Sequence, residues 1–409
     1  MNKPTDNYTG RLSAAYPELG LDPVNIEEVF SPEYFELEKE NIFKKVWLRV
    51  GRNEDIPDHG DFMVKEFEFA NTSVIIARGE DGSVNAFHNV CTHRANRVAY
   101  TETGNSKRGF TCRFHGWNFG LDGELNFVPE EGLFPKLDTK CAGLPAVSVD
   151  TWEGWIFVNL DPSPKETLRE YLGELADGYP GFFDDKTKVA TMTIDADANW
   201  KIFLDAFVET YHFAFVHQLS AAAVITSPDN PYGYMDAARM YDRHRVISAG
   251  ANPGHTPSPA EMVVGKFGGH QTLAPDMASA ATRKLPPGLN PERLDNWATD
   301  IIVIFPMTNI QPLDGWFVTQ NYWPISHNKT RWEMTIYMQP AETASHWMAQ
   351  EYNTAYIRDV VREDLNNLEM IQQNLEAGIL KEMQFGDQEI MIRHSYKVVD
   401  DYAKGKGGQ

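Results

Sequence analysis

Two short groups of side chains in this 409-residue chain could hold metal. Cys91-Thr-His93 and Cys112-Arg-Phe-His115 are separated by 18 residues, and each supplies one thiolate and one imidazole. A zinc finger of the usual kind pairs its cysteines first and its histidines later. Here the order is Cys, His, Cys, His. A Rieske [2Fe–2S] cluster needs two cysteines on one iron and two histidines on the other. Two hairpin tips giving one of each meet that need, and a structural zinc site is the alternative.

The second group lies in Asn199–Gln218, NWKIFLDAFVETYHFAFVHQ, and contains Glu209, His212 and His217. Two neutral histidines and one carboxylate from elsewhere in the chain form the facial triad that holds catalytic ferrous iron with open positions. The bland alternative is a pair of core histidines satisfied by neighbours. Phe203, Phe207, Phe213 and Phe215 predict a largely dry helix over the whole stretch. Glu209 and His212 are three apart and would share a helix face. His212 and His217 are five apart, about 140° round a helix of 3.6 residues per turn. They can bind one ion only if the helix bends, ends or bulges between them.

Composition narrows the class. A net charge of −21 argues against nucleic acid and anionic membrane, which need a basic surface. No apolar run approaches the roughly 18 residues of a membrane span. The start, MNKPTDNYTGRL, lacks a secretory pattern. Three cysteines, an odd and sparse count, favour a reducing compartment, so a cytoplasmic location is expected. Cys141 has no partner left and reads as a small buried residue.

The elements that must position these groups divide the chain in three. Residues 1–48 read as an irregular arm followed by a helix from Ser31-Pro32 to about Trp47. Residues 49–160 read as short strands with tight turns at Asp81-Gly82 and Asp122-Gly123. Residues 161–409 mix helices and strands. Within them, 219–297 is rich in Pro, Gly, Ala and Ser and reads as a covering loop. Three long strands are expected at 300–306, 316–325 and 331–340, forming an antiparallel sheet. A helix over about 343–377 should end near Gly378. The fold class expected is α+β.

Cys91-Thr-His93-Arg94 and Cys112-Arg-Phe-His115-Gly116-Trp117 resemble the C-x-H-R and C-x-x-H-G-W motifs of Rieske non-heme iron oxygenases, large-subunit type. The resemblance covers about 35–395. It implies a small all-β Rieske domain followed by a catalytic domain of helix-grip type. Asn199-Trp200-Lys201, Asp205 and Glu209-Thr-Tyr211-His212 with His217 resemble the family's mononuclear iron motif, which implies His212 and His217 as ligands. The stretch 362–378 resembles its late helix and puts Asp364 at the third ligand position, with Glu363 and Glu369 competing. The resemblance implies that Glu209 bridges His115 of a neighbouring chain and His212. Many members have Asp there, and Glu occurs in members acting on quaternary ammonium compounds. Ala206 departs from the family's frequent Asn.

The resemblance implies an oxygenase with a Rieske [2Fe–2S] cluster and mononuclear Fe(II), in a homotrimer with or without a small β subunit. No G-x-G-x-x-G follows a strand, so a separate reductase, with or without a ferredoxin, must supply electrons. Phe207, Phe213, Phe305, Trp316 and Trp323 are candidate pocket residues. An apolar lining would favour an aromatic or polycyclic substrate. An aromatic cage would favour a quaternary ammonium, N-methyl or O-methyl compound, oxidised or demethylated by monooxygenation. The non-enzymatic alternative is an iron–sulfur electron carrier whose second domain only binds.

Overall fold

The computed structural model describes residues 11–268, 285–313 and 315–407. It divides into two compact units, one of residues 39–171 and one of residues 1–38 with 172–409.

The first unit is built from short antiparallel strands. β1 (Leu48–Arg52), β2 (Asp61–Phe67), β3 (Thr72–Arg78), β4 (Val84–His88) and β5 (Thr103–Asn105) come first. β6 (Phe110–Thr111), β7 (Asn118–Phe119), β8 (Leu125–Phe127), β9 (Ser148–Trp152) and β10 (Trp155–Asn159) follow. They form three sheets, in orders β4-β3-β2-β5, β6-β7-β8 and β9-β10-β1. The Asp81-Gly82 and Asp122-Gly123 turns join β3 to β4 and β7 to β8, as their residue types predict. Gly123 is obligatory: its φ is +83°, and a Cβ there would lie 2.3 Å from the Phe87 ring. The core gathers Phe62, Phe87, Phe110, Phe119 and Trp117 around Cys91 and Cys112. Cys141, expected to be buried, is exposed. It caps no core because its turn, Thr139–Cys141, lies outside the strands.

The second unit centres on a seven-stranded antiparallel sheet. Its strands are β11 (Thr187–Ala196), β12 (Ala237–Tyr241), β13 (His244–Gly250), β14 (Trp297–Ile304), β15 (Thr308–Leu313), β16 (Trp316–Ser326) and β17 (Lys329–Met338). Their order is β11-β17-β16-β15-β14-β13-β12. Four of these escape the sequence patterns. β12 and β13 lie in the expected covering loop, which also contains the helix Pro259–Phe267. A further stretch of it, 269–284, lies outside the described residues. β13 is buried along its whole length, so it shows none of the alternation that marks a half-exposed strand.

Four helices matter for the site. α1 (Pro32–Glu38) stops nine residues short of the expected end, where the chain loosens into a π turn over Lys39–Phe43. α2 is Trp200–Ala206. The single turn α3 is Phe213–Val216, so the continuous helix expected over 199–218 is broken. The long α4 (Ala344–Glu376) begins where the Thr343 hydroxyl accepts the His346 N–H, and Gly378 follows its end at φ +65°. None of the described helices is long and apolar enough to cross a membrane.

The Asn-Trp-Lys signature is an anchor for α2. The Asn199 side chain accepts the Lys201 N–H at 2.9 Å and donates to the His327 carbonyl at 2.6 Å, while the Asn199 N–H donates to Gln372 of α4 at 2.9 Å. Trp200 Nε1–H donates to Glu38 at 3.1 Å, and Lys201 forms a salt bridge with the same carboxylate. Burial pushes the Glu38 carboxyl up, against the pull of Lys201 and Trp200. Removing one member of a buried pair leaves the other charge uncompensated, at a cost of about 3–5 kcal/mol. Glu38→Ala should therefore lower the urea midpoint sharply, and Glu38→Gln should lose less. An unchanged midpoint in Glu38→Ala would show that the pair contributes nothing to anchoring α2.

Candidate metal centres

The two Cys/His loops fold alike. In the first, Cys91 N–H donates to the Asn96 carbonyl at 2.7 Å and Ala95 N–H donates back to the Cys91 carbonyl at 2.9 Å. In the second, Cys112 N–H donates to the Trp117 carbonyl at 2.8 Å and Gly116 N–H donates back to the Cys112 carbonyl at 2.9 Å. Both loops turn through a left-handed residue, Ala95 at φ 58° and Gly116 at φ 76°. Each turn points backbone N–H groups at its sulfur. Burial pushes both thiols up. It prevails at Cys91, aided by the neighbouring Cys112 thiol. At Cys112 the N–H groups of Phe114 and His115 outweigh it and hold the thiol below its usual range.

The histidines differ in exposure. His93 stacks on Trp117 at 4.9 Å, and its Nδ1 is buried with no hydrogen-bond partner among the described residues. The His115 ring is exposed and lies edge-on to His93 at 4.4 Å. A single zinc ion would draw four donors to within about 3.8 Å of one another. Among the described residues, the set of three or more such side chains gathered within 4.8 Å is a different one, His212, His217 and Asp364. Two adjacent thiols, two adjacent imidazoles and an unused buried ring nitrogen suit a two-iron cluster instead.

The second centre depends on the helix break. The freed Phe207 carbonyl is taken by Asn309 Nδ2 of β15 at 3.3 Å. Glu209 then caps the next turn, accepting the His212 backbone N–H at 3.2 Å. His212 and His217 flank α3 at its two ends, so the five-residue spacing no longer opposes convergence. His212 Nε2 lies 3.2 Å from His217 Nε2 and 3.4 Å from Asp364 Oδ1 of α4, and His217 Nε2 lies 3.1 Å from the same oxygen.

The outer nitrogens fix the tautomers. His212 Nδ1 is hydrogen-bonded to Glu209, and His217 Nδ1 to Glu363 at 2.7 Å. A carboxylate only accepts, so both Nδ1 atoms carry the proton and both Nε2 atoms present lone pairs. Ser220 Oγ–H donates to Glu363 at 2.5 Å. Burial would lower the His217 pKa, but Asp364 and Glu363 outweigh it and raise it. Atoms of this kind 3.1–3.4 Å apart are held together by a cation among them, a metal ion or, without one, a proton on His217. Neighbouring ligands of an octahedral ion are separated by √2 times the bond length, about 3.0 Å for ~2.1 Å bonds. The triangle therefore fits one face of such an ion, with the other positions open.

Of the competing acids, Asp364 converges on the histidines, Glu363 orients His217, and Glu369 is exposed and accepts the Asp197 N–H at 3.0 Å. Asp205 takes no part; burial pushes its carboxyl up to about 8, and Tyr396 O–H donates to it at 3.0 Å.

A cavity opens onto this triad, walled by Phe207, Phe213, Val224, Ile301, Val318 and Met334 among others. Its volume is about 130 Å³, room for a small organic ligand. Phe305, Trp316 and Trp323 are not in its wall. Phe305 lies 4.8 Å from the Tyr402 ring, and all three are buried in the core. Ala206 is in the wall, where it offers no polar group. The sequence patterns missed Thr210, Gln311, Gln320 and Tyr356, which also line it. Thr210 stands inside the quoted motif, and only its buried hydroxyl, without a partner among the described residues, marks it out.

Comparisons with known proteins identify the family. The profile of the ring hydroxylating alpha subunit catalytic domain matches residues 183–405, and that of the Rieske [2Fe-2S] domain matches 46–138. The large oxygenase component of the naphthalene 1,2-dioxygenase system of Pseudomonas aeruginosa is 35% identical over 196 residues, 46% of this chain and 43% of that protein. The carnitine monooxygenase oxygenase subunit of Escherichia coli is 27% identical over 351 residues, 84% of this chain and 81% of that protein. In fold, a quaternary ammonium Rieske monooxygenase is similar with a TM-score of 0.75 at 20% identity, covering 97% of this chain and 99% of that one. Naphthalene 1,2-dioxygenase from Rhodococcus is similar with a TM-score of 0.73 at 22% identity, covering 94% and 95%. The chain belongs to the ring-hydroxylating alpha-subunit family, a Rieske-type oxygenase whose β-rich unit takes a [2Fe–2S] cluster and whose catalytic unit takes a mononuclear iron.

Proposed function

We propose that this chain is the terminal oxygenase component of a multi-part system and hydroxylates a largely apolar aromatic or fused-ring substrate. The observation that carries the reading is the convergence of His212, His217 and Asp364 on one point beside an apolar cavity. Cys91, His93, Cys112 and His115 would hold the cluster, and His212, His217 and Asp364 the iron. When bound, these groups supply one-electron relay and reductive activation of O2. The protein's own part is positional. Glu209 and Glu363 keep both imidazoles in the tautomer that presents Nε2. The apolar part of the wall excludes water and holds the substrate by burial.

Electrons come from a separate reductase, directly or through a ferredoxin, and the active form is a homotrimer with or without a β subunit. Each cluster then serves the iron of a neighbouring subunit, with Glu209 between His115 and His212. The location proposed is the cytoplasm. A second reading, oxidation or demethylation of a quaternary ammonium, N-methyl or O-methyl compound, is favoured by the 84% coverage in the carnitine match and by Glu at position 209.

A substrate panel with a surrogate reductase tests the function. Products are read by mass, with one or two atoms from labelled O2 counted. About three irons per chain are expected, against about two for a carrier. His93→Ala should abolish the rhombic EPR signal of the reduced cluster. Its full retention would remove His93 from the ligand set, and a colourless zinc protein would end the cluster assignment.

A further inference from the structure

The wall of the cavity carries hydrogen-bonding capacity that the protein does not use. Gln311 of β15 and Gln320 of β16 both line it. Gln311 pairs with Val318 and Asn309 with Gln320 across these strands, so the two carboxamides are diagonal neighbours on one face of the sheet. Gln320 is 2% exposed. Its Oε1 accepts the indole N–H of Trp332 at 2.7 Å and the Tyr322 O–H at 3.4 Å. The indole N–H can only donate, so the atom it meets must be the oxygen. Turning the amide over would set N–H against N–H. The Gln320 NH2 group is thereby held toward the cavity, and it has no partner among the described residues. The Gln311 carboxamide has none either.

The charges of the wall are equally one-sided. Among the described residues it contains no Lys or Arg, and its only carboxylates there, Glu209 and Asp364, are committed to the metal triad. A carboxylate substrate would be buried without a counter-charge. A quaternary ammonium offers nothing for an N–H to donate to. Among the described residues, its usual recognition by several aromatic faces would fall to Phe207, Phe213 and Tyr356.

We infer that Gln320, oriented by Trp332 and assisted by Gln311, binds a hydrogen-bond acceptor on an uncharged and otherwise apolar substrate: a carbonyl, ether or nitro oxygen. The inference rests on the reading of this cavity as the oxygenase substrate site. Trp332 is a positioning residue, and Gln320 determines specificity.

Calorimetric titration of the holoenzyme with 1-indanone and with indane tests it, because the two differ by one carbonyl. The preference for indanone over indane should fall about tenfold in Gln320→Leu, the worth of one neutral hydrogen bond. Indane should still bind that variant, which shows an intact cavity. Trp332→Phe keeps the carboxamide but frees it to turn, and should lower the preference by a smaller factor. Choline should bind the wild type more weakly than indanone. A preference unchanged in both variants, or choline binding more tightly than indanone, overturns the inference. Oxygenation is scored separately with a surrogate reductase. Oxygenated indane with an unmoved preference would sink the Gln320 role and leave the oxygenase reading standing. A moved preference with neither compound oxygenated would uphold the binding role and count against the oxygenase reading.

Discussion

Asp364→Ala is expected to lose the mononuclear iron and all measurable turnover while keeping the cluster spectrum. Total iron should fall from about three to about two per chain, because one of three ligands on an open-sided site is gone. The local geometry makes this sharper than a general loss of fold. Asp364 Oδ1 is the only carboxylate oxygen in the gathered set, 3.1 Å from one imidazole nitrogen and 3.4 Å from the other. Asp364 lines the cavity rather than the packed core, so the apo variant should fold. Glu363→Ala provides the contrast. Glu363 touches the outer nitrogen of His217, so its loss should weaken iron by about 10–100-fold and leave residual turnover at high ferrous ion. Metal analysis with EPR on both variants decides the assignment. Iron lost from Glu363→Ala but retained in Asp364→Ala would exchange the two roles.

The order in which these residues could be found reflects how local each signal is. The Cys/His loops are legible because ligand and turn lie within six residues, and Gly116 supplies its left-handed backbone at no steric cost. His212 and His217 were legible as types. The break that lets them meet was not, because FVETY carries neither Gly nor Pro and its carbonyl is caught by Asn309, 102 residues away. The tertiary bond overrides a run that would otherwise continue as helix. Asp364 could be chosen over Glu363 only by resemblance, since neighbours on a helix differ by about 100° in direction and sequence does not say which way the helix is turned. The cavity wall was the least legible. Aromatic size suggested Phe305, Trp316 and Trp323. Register turns Trp323 away from the face that carries Val318 and Gln320, whereas Trp316 shares that face and is buried at the first residue of its strand, beside the wall residue Leu313. Glu38 carried no mark of its role at all, because its partners lie more than 160 residues on.

Glu209→Gln should retain fold, cluster and most of the iron, yet lose turnover by at least about 100-fold, the scale expected when an essential proton or charge partner is removed. Both carboxylate oxygens of Glu209 accept from His212, one from the ring Nδ1–H and one from the backbone N–H. Glu209 is 8% exposed, so these bonds are little weakened by water. A carboxylate still has lone pairs to spare after accepting two bonds, and so can take a third from another imidazole. His115 is the one that could give it, since its ring stands exposed on its own unit while His93 is held against Trp117. In a closed ring of like subunits, a head-to-tail contact could bring His115 of one chain to Glu209 of the next. Glutamine has one oxygen in place of two and carries no charge. It can keep His212 Nδ1–H or serve the neighbour, and its NH2 would face an N–H at the remaining contact. Iron binding survives, because Nε2 and Asp364 are untouched. What should fail is transfer between the centres. Stopped-flow reduction of the cluster by the reductase should stay at the wild-type rate, while oxidation of the pre-reduced cluster by O2 with substrate present should slow with turnover. Near wild-type turnover in Glu209→Gln, or a fully active monomer, would reduce Glu209 to a helix cap that happens to lie beside the iron.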